Sequence, residues 1–144
     1  MFVVNVEAAI FKDDNWLVIR RSLKESHAAG MISLVGGKVE HEGNQSDILE
    51  RTLRREIFEE VGIEVTDVIH YVQSTSFIAD DGDHVIDVVF LCEHVSGETV
   101  CKSPDEVDSV LWLTIDQILD DENTPPWTKE SLRRAHALRK ELGV

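Results

Sequence analysis

Short apolar runs rich in Val, Ile and Phe open the chain and are separated by polar segments. Such runs predict β-strands, and the polar segments between them predict turns and loops. The strands predicted in this part are residues 3–11, 16–20 and 31–35. The polar turn at residues 12–15 favours antiparallel pairing of the first two strands, and residues 22–30 are predicted to form a loop. The third strand should meet a turn at Gly36 and Gly37.

Residues 48–61 follow a helical period instead. The apolar positions of this segment are spaced four residues apart and are Leu49, Leu53, Ile57 and Val61. They form one stripe along a helix, which we expect to face the core. Asp47 and Glu50 have the spacing of a capping box at its start, and Gly62 is the residue type that commonly ends helices. The segment is therefore predicted to be an amphipathic helix.

The rest of the chain mixes strand and helix signals. Strands are predicted at residues 68–78, 84–94 and 109–113, and helices at residues 115–119 and 128–142. The acidic, glycine-containing turn at residues 80–83 predicts a hairpin between the first two of these strands. Thr114 with Gln117 can cap the short helix, and Thr128 can cap the last one. This mixture predicts an α+β or layered α/β/α domain, and 144 residues suffice for one such domain.

Three carboxylates lie close to the apolar stripe of the predicted helix. Glu56, Glu59 and Glu60 are spaced i, i+3 and i+4, so their side chains cluster on one side. Glu60 projects inside the stripe, Glu56 lies at its edge, and Glu59 sits slightly further round. Carboxylates crowded beside apolar surface repel one another and lose hydration, so they indicate a bound hard cation such as Mg²⁺. Arg55, one turn before Glu59, can orient a carboxylate.

An ordinary surface helix with Glu and Arg pairs is the alternative interpretation, since Arg51, Arg54 and Arg55 occupy the opposite side. Gly36 and Gly37 count against this alternative. A glycine pair between a strand and a helix lets backbone atoms approach a ligand closely. The glycines and the acidic helix together favour a metal site over a solvated surface.

The segment 55–63, REIFEEVGI, is similar to the second half of the Nudix box, R-E-U-x-E-E-x-G-U, in which U is a bulky aliphatic residue. Every specified position matches. The segment 36–40, GGKVE, resembles the opening of the same box, which covers about residues 36–63. The chain thus resembles a MutT-like Nudix hydrolase. This resemblance implies the Nudix fold, an α/β/α sandwich with a mixed β-sheet, as a single domain over residues 1–144.

The chain departs from the family pattern in the first half of the box. The family pattern has an acidic residue in the first half of the box. Counting back from Arg55 places it at Asp47, whereas counting forward from Gly37 places it at Gly43. The segment 41–46 is therefore about four residues longer than the usual pattern. Asp47 is the better candidate for the first acidic residue of the box, and Glu42 is the other.

The resemblance implies a chemical role for each residue of the box. Glu56, Glu59 and Glu60 would bind Mg²⁺, or Mn²⁺ as a substitute, together with the carbonyl oxygen of Gly37. The reaction would be hydrolysis of a diphosphate linkage in a nucleoside triphosphate, a nucleotide sugar or an ADP-ribose-like molecule. The general base would be a box glutamate, with Glu59 as the candidate, or Glu106 from a later acidic loop. Glu56 is placed among the catalytic residues as well.

Phosphate binding also needs direct donors. Arg20 and Arg21 end the second predicted strand, where the family often carries a phosphate-binding arginine. Strand alternation lets only one of them face the site. Arg21 is favoured by its similarity to the family arginine, and Lys38 is the second candidate. The alternative for each is a surface charge. Trp127 is a weaker candidate for stacking on a base.

Charge narrows the range of partners. The net charge of −14 argues against binding to polymeric nucleic acid, and it implies that a phosphate substrate arrives with a cation.

No apolar run approaches the ~20 residues of a membrane helix, and no signal peptide is recognised, which predicts a cytoplasmic protein that does not contact membranes. A homodimer is left open, since many relatives are dimers. Cys92 and Cys101 show neither metal-site nor redox-motif spacing.

Two other functions stay open. The first is a Nudix-like domain that binds nucleotides or regulates without turnover; the altered first half of the box favours it, and the intact REIFEEVGI segment argues against it. The second is an isomerase-type relative that acts on an isoprenyl diphosphate, which the shortness of the chain disfavours. Metal-dependent turnover distinguishes the hydrolase from the binding domain.

Overall fold

The computed structural model describes residues 1–25 and 28–144. Its strands are β1 (Phe2–Lys12), β2 (Asn15–Arg21), β3 (Ile32–Ser33), β4 (Val35–Lys38), β5 (Glu64–Val65), β6 (His70–Ile78), β7 (His84–Ser96) and β8 (Val107–Thr114). Its helices are α1 (Ile48–Val61), α2 (Ile115–Asp120) and α3 (Pro126–Leu142). The strands join in a mixed sheet, and helices pack on both of its faces.

Strand β1 is central to the sheet because it pairs with β2, β4 and β7. It runs parallel to β7 along most of its length, starting with Phe2 opposite His84. Its other edge is shared between two antiparallel partners: β2 pairs with its end through the tight turn that follows it, and β4 pairs with residues 5–8. Strands β5 and β6 pair with β7, and strands β3 and β8 pair with β2. One parallel pair among antiparallel neighbours makes the sheet mixed, as the resemblance implies.

Helix α1 covers one face of the sheet. Its apolar stripe is buried, with Leu53 and Ile57 almost fully excluded from solvent. These side chains pack with even-numbered residues of β1, namely Val6, Ala8 and Ile10. Full burial of a Leu or Ile side chain contributes roughly 1.5–3 kcal/mol, so the stripe fixes the helix on the sheet.

Helix α3 covers the opposite face. Leu132 and Ala135 pack with Ala9 and Phe11, which are odd-numbered residues of β1. Because successive residues of a strand point to opposite faces, β1 is buried on both sides and has a nearly continuous apolar sequence. The predicted α/β/α sandwich is confirmed. Within the described residues, no helix combines the length and apolar character needed to cross a membrane.

Several predicted boundaries agree with the structure. Helix α1 spans the predicted residues 48–61, and Gly62 ends it in the left-handed region with φ 73°. The capping box of Thr114 and Gln117 forms at α2. The predicted turn at residues 80–83 joins β6 to β7. Strand β5 was not predicted, because two residues are too few to show a period.

The glycine pair lies inside a strand and not in a turn. Gly36 and Gly37 belong to β4, where they pair with Glu7 and Val6 of β1. The predicted turn is wrong because the pairing partner lies about thirty residues earlier in the chain, and the glycines themselves carry no sign of it. A side chain at Gly36 would collide with the carbonyl oxygen of Val6. Glycine therefore permits an unusually close approach of two strands here.

Two predicted helix caps are also wrong. Asp47 has a left-handed backbone with φ 55° and makes no side-chain cap hydrogen bond, so the capping box with Glu50 does not form. Helix α3 begins at Pro126, two residues before the predicted cap, because the fixed φ of proline suits the first helical position. The Thr128 hydroxyl donates to the carbonyl oxygen of Ile32 at 3.2 Å, which ties α3 to β3.

Candidate active site

Strand β4 and helix α1 meet where two glutamates approach the glycine pair. Glu56 packs directly on Gly37, since a Cβ atom on Gly37 would lie 2.6 Å from Oε2 of Glu56. The backbone N–H of Gly36 donates a hydrogen bond to the carboxylate of Glu60. Because glycine leaves this space free, β4 brings its backbone against both carboxylates. The structure thus places Gly37, Glu56 and Glu60 together.

Glu60 is a strongly perturbed carboxyl. Burial raises its pKa to about 8, and the negative charges of Glu56 and Glu106 add to this effect. The Gly36 N–H and the charge of Arg21 act in the opposite direction. The Oε2 atom of Glu60 is buried and has no hydrogen-bond partner within the described residues. A buried carboxylate oxygen without a partner is costly, so this atom fits a ligand position for a cation.

Glu56 is partly buried next to Arg55. Burial raises the pKa of the Glu56 carboxyl, the Arg55 guanidinium lowers it, and the charges of Glu59, Glu106 and Glu40 raise it. The Nη2 atom of Arg55 lies 3.6 Å from Oε1 of Glu56. Arg55 is therefore placed to orient its sequence neighbour Glu56, although the spacing along the helix had pointed to Glu59.

Glu59 and Glu106 are exposed carboxylates at the edge of the site. The charge of Glu59 acts on Glu56, and the charge of Glu106 acts on both Glu56 and Glu60. The backbone of Glu106 is held on two sides. Its N–H donates to the carbonyl oxygen of Ser103 at 2.9 Å, and its own carbonyl oxygen accepts from the Ser22 N–H at 2.9 Å. The acidic loop is thus fixed beside the glutamate pair.

Arg20 and Arg21 make different interactions at the end of β2. The charge of Arg21 lowers the pKa of Glu60, and its guanidinium lies 3.0 Å from the carboxylate of Glu25. Arg20 donates instead to the carbonyl oxygen of Gly30 at 3.1 Å. Arg21 is therefore the arginine whose charge reaches Glu60, consistent with strand alternation.

A pocket of about 330 Å³ opens beside Arg21. Arg20 and Arg21 line one part of it, and Asp108 and Asn123 contribute further polar groups. Leu23 adds an apolar side chain that is 83% exposed. A concave space with two cations, polar groups and the apolar side chains of Leu23 and Ala29, beside the arginine whose charge reaches Glu60, suits part of a phosphorylated ligand.

Sequence reasoning missed two carboxyls inside the sheet. Glu7 of β1 and Asp87 of β7 share a side-chain hydrogen bond, and Nδ2 of Asn5 donates to Oδ1 of Asp87 at 2.8 Å. Burial, followed by the contact with Asp87, raises the pKa of Glu7 well above its usual range, and the charges of Arg21 and Glu60 also act on it. The signal was present in the sequence, since both acids interrupt apolar runs.

The donor set suits a hard divalent cation. Glu56, Glu60 and the Gly37 carbonyl offer only oxygen atoms, which Mg²⁺ prefers, and one Glu60 oxygen lacks a partner among the described residues. In the same described ranges, no three acidic, histidine or cysteine side chains converge on a ready-made metal site. Glu59 is exposed, and Lys38 is exposed at the end of β4. A cation would therefore have to draw the exposed carboxylate of Glu59 towards those of Glu56 and Glu60.

Comparisons with known proteins cover nearly the whole chain. A family model described as NUDIX domain matches residues 1–135. The crystal structure of a MutT NUDIX hydrolase from Burkholderia pseudomallei is similar with a TM-score of 0.79 and 29% identity, and the match covers 93% of this chain and 98% of that chain. A comparison with curated proteins gives no match.

Two more solved structures share the fold at lower identity. A MutT protein from Methanosarcina mazei Go1 has a TM-score of 0.77 and 24% identity, with 96% of each chain covered. A NUDIX hydrolase from Nitrosomonas europaea has a TM-score of 0.78 and 20% identity, with 95% of this chain and 90% of that chain covered. At these identities the likeness extends to the fold alone.

Proposed function

The chain belongs to the Nudix hydrolase family, and we propose that it uses Mg²⁺ to hydrolyse a diphosphate linkage in a nucleoside diphosphate joined to another group. One observation carries the proposal. The Glu60 carboxylate is buried against Gly36 and keeps one oxygen without a partner in the described part of the chain, within the segment that matches the Nudix box. Such an oxygen suits a ligand position for a cation, which would supply positive charge to the phosphates of a substrate.

Mg²⁺ is the proposed cofactor, with Mn²⁺ as a substitute. The ligands would be Glu56, Glu59, Glu60 and the carbonyl oxygen of Gly37. A bound Mg²⁺ neutralises phosphate oxygens and lowers the pKa of a water nucleophile. The contact between Glu56 and Gly37 supports this ligand set, because it already joins the helix and the strand at one point.

A carboxylate of the chain is proposed to take the proton of the attacking water on one of its Oε atoms. Glu59 is the candidate within the box, and Glu106 is the candidate in the loop. The electrostatic effect of Glu106 on both Glu56 and Glu60 supports the loop candidate. Arg55 would orient Glu56, which belongs to the same catalytic set.

Arg21 and Lys38 are proposed to bind the phosphates of the substrate. The attraction between Arg21 and Glu60 supports the first assignment, since it places a cation near Glu60. The pocket beside Arg21 would receive the group attached to the diphosphate. Nucleoside triphosphates, nucleotide sugars and ADP-ribose-like molecules are the proposed substrate class. The net charge of −14 supports such small substrates over polymeric nucleic acid.

The test is phosphate release from a panel of nucleoside triphosphates and diphosphate-linked nucleotides, with and without Mg²⁺. The variant Glu60→Gln removes one ligand charge at nearly constant volume, and Glu50→Gln makes the same change elsewhere on α1 as a matched control. We expect Mg²⁺-dependent turnover that Glu60→Gln loses and Glu50→Gln keeps. Binding of Mg²⁺ and nucleotide without any turnover would instead favour a nucleotide-binding or regulatory domain.

A further inference from the structure

We infer that Lys102 is a positioning residue: through its contact with Phe58 it fixes the segment 100–106 on the end of α1 and thereby sets the place of Glu106. The inference rests on the proposed function, because Glu106 is one of the two candidates for the general base. Lys102 itself is placed outside the reacting groups.

The segment 100–102 is hydrogen-bonded to the C-terminal end of α1. The last carbonyl oxygens of a helix lack partners within the helix. Here the N–H of Val100 donates to the carbonyl oxygen of Val61 at 3.0 Å, and the N–H of Lys102 donates to that of Glu60 at 3.1 Å. The segment is therefore joined to the same residue that carries the buried carboxylate.

The side chain of Lys102 strengthens this junction. Its Nζ atom lies 4.0 Å from the centroid of the Phe58 ring, a cation–π contact on the exposed side of α1. Its stem passes close to Gly62, where a Cβ atom would lie 3.2 Å from Cε of Lys102. The last turn of α1 has no basic residue of its own, so Lys102 supplies the positive charge that the negative end of a helix favours.

A tight turn connects Lys102 to Glu106 and couples the positions of the two residues. The carbonyl oxygen of Ser103 accepts from the N–H of Glu106 at 2.9 Å and from the N–H of Val107 at 2.8 Å. The thiol of Cys101 closes the same turn by donating to the carbonyl oxygen of Val107 at 3.0 Å. A displacement of Lys102 from α1 would therefore move Glu106 relative to the glutamate pair.

The opposite side of Glu106 is held independently. Its carbonyl oxygen accepts from the N–H of Ser22, the residue after Arg21. The turn that carries Glu106 is thus held at the end of β2 on one side and at the end of α1 on the other. Loss of the Lys102 contact would leave the Ser22 side, the backbone bonds, the Cys101 thiol bond and the exposed ion pair of Lys24 with Asp105 at 3.5 Å, which predicts a looser turn and not an unfolded protein.

Amide hydrogen exchange on the metal-free protein tests the positioning without any activity. The variant Lys102→Met keeps an unbranched apolar stem and loses the charge, whereas Lys102→Arg keeps the cation. We expect the amides at positions 102 and 106 to exchange about two- to five-fold faster in Lys102→Met, in line with an exposed cation–π contact, and Lys102→Arg to restore the original rates. Phe58→Leu should match Lys102→Met. The exposed Lys12 provides a control variant, Lys12→Met, with unchanged rates. Unchanged exchange in Lys102→Met would overturn the inference.

A double-mutant cycle on kcat tests whether Lys102 acts through Glu106. Lys102→Met should lower kcat about two- to five-fold with KM unchanged, and it should have no further effect in a Glu106→Gln background. An equal loss in both backgrounds would overturn the inference. If Glu106→Gln turns over like the original enzyme, the inference fails and the proposed function stands. If the original enzyme shows no turnover, the proposed function fails and the exchange rates decide whether Lys102 positions the loop.

Discussion

Gly36 in β4 donates its backbone N–H to the carboxylate of Glu60 in α1. The hydrogen bond joins the strand half and the helix half of the site, which the lengthened segment 41–46 separates in the chain. It stabilises the charged carboxylate and so lowers the pKa, but burial raises the pKa more, to about 8. Near neutral pH, a cation must therefore compete with a proton for Glu60.

We predict that Mg²⁺ binds more tightly as the pH rises towards about 8. Below that value Glu60 holds a proton that the metal must displace, so the affinity falls by up to about tenfold per pH unit. Titration calorimetry in two buffers of different ionisation enthalpy measures both the affinity and the proton released. Glu60→Gln should bind weakly and lose the part of this pH dependence that Glu60 contributes. If the Mg²⁺ affinity is the same at pH of about 6 and at pH of about 8, and no proton is released on binding, Glu60 is not a ligand.

Gly37→Ala should remove most of the activity without unfolding the protein. Its Cβ atom would lie 2.6 Å from Oε2 of Glu56, so the carboxylate has to move. A displacement of this order costs about 10²-fold in kcat, while circular dichroism should show an intact fold. Gly82→Ala is the control, since its Cβ atom would meet nothing within 4 Å and only the β6–β7 turn is strained. Full activity in Gly37→Ala would show that the Glu56 position does not matter.

Helix α1 and its carboxylates could be predicted because every signal lies within one segment. The apolar period from Leu49 to Val61, the glycine at position 62 and the spacing of the glutamates are all local, and the helix spans the predicted residues. The depth of Glu60 follows from the same geometry, since its position inside the stripe forces burial.

The parts that could not be predicted depend on pairing between distant strands. The place of Gly36 in β4 is set by its partner Glu7 in β1, and no local pattern encodes that register. The contact between Glu7 and Asp87 likewise exists only because β1 and β7 lie side by side. The left-handed backbone of Asp47 follows the polar segment 41–46, which has no period to interpret.

The pair of Glu7 and Asp87 should make the stability of the protein depend on pH. Glu7 in the folded chain keeps a proton that the unfolded chain releases above its ordinary pKa near 4.5. The folded state then binds more protons than the unfolded state, so the free energy of unfolding falls as the pH rises from there towards the raised pKa. The slope reaches at most about 1.4 kcal/mol per pH unit for one proton.

Glu7→Gln should reduce this slope by the share of Glu7, because the amide has no proton to lose in that range, whereas Glu60, whose raised pKa acts in the same direction, keeps its own share. Urea unfolding of the metal-free protein at pH of about 5 to about 8 measures it. Glu64→Gln, an exposed glutamate of β5, makes the same chemical change without burial and should leave the slope unchanged. Equal slopes for the original chain and Glu7→Gln would show that Glu7 ionises freely in the folded state.

The general base can be assigned by comparing Glu59→Gln with Glu106→Gln. Both carboxylates are exposed and both act on Glu56, so geometry alone does not separate them. Removal of the base should lower kcat by about 10²- to 10⁴-fold and, at saturating Mg²⁺, abolish the acid limb of the pH–rate profile. Removal of a carboxylate that only holds metal should instead be offset in part by a higher Mg²⁺ concentration.

We predict that Glu106→Gln loses kcat and the acid limb, and that the loss in Glu59→Gln is offset in part by a higher Mg²⁺ concentration. Glu106 acts electrostatically on Glu56 and Glu60 and is fixed by backbone bonds on two sides, as a base that must meet a positioned water has to be. Glu59 lies in the box beside two proposed ligands, on the same helix. Steady-state kinetics over pH and Mg²⁺ concentration distinguish the two variants. If Glu106→Gln keeps the acid limb and Glu59→Gln loses it at saturating Mg²⁺, the base lies within the box, and the acidic loop serves only to hold charge near the site.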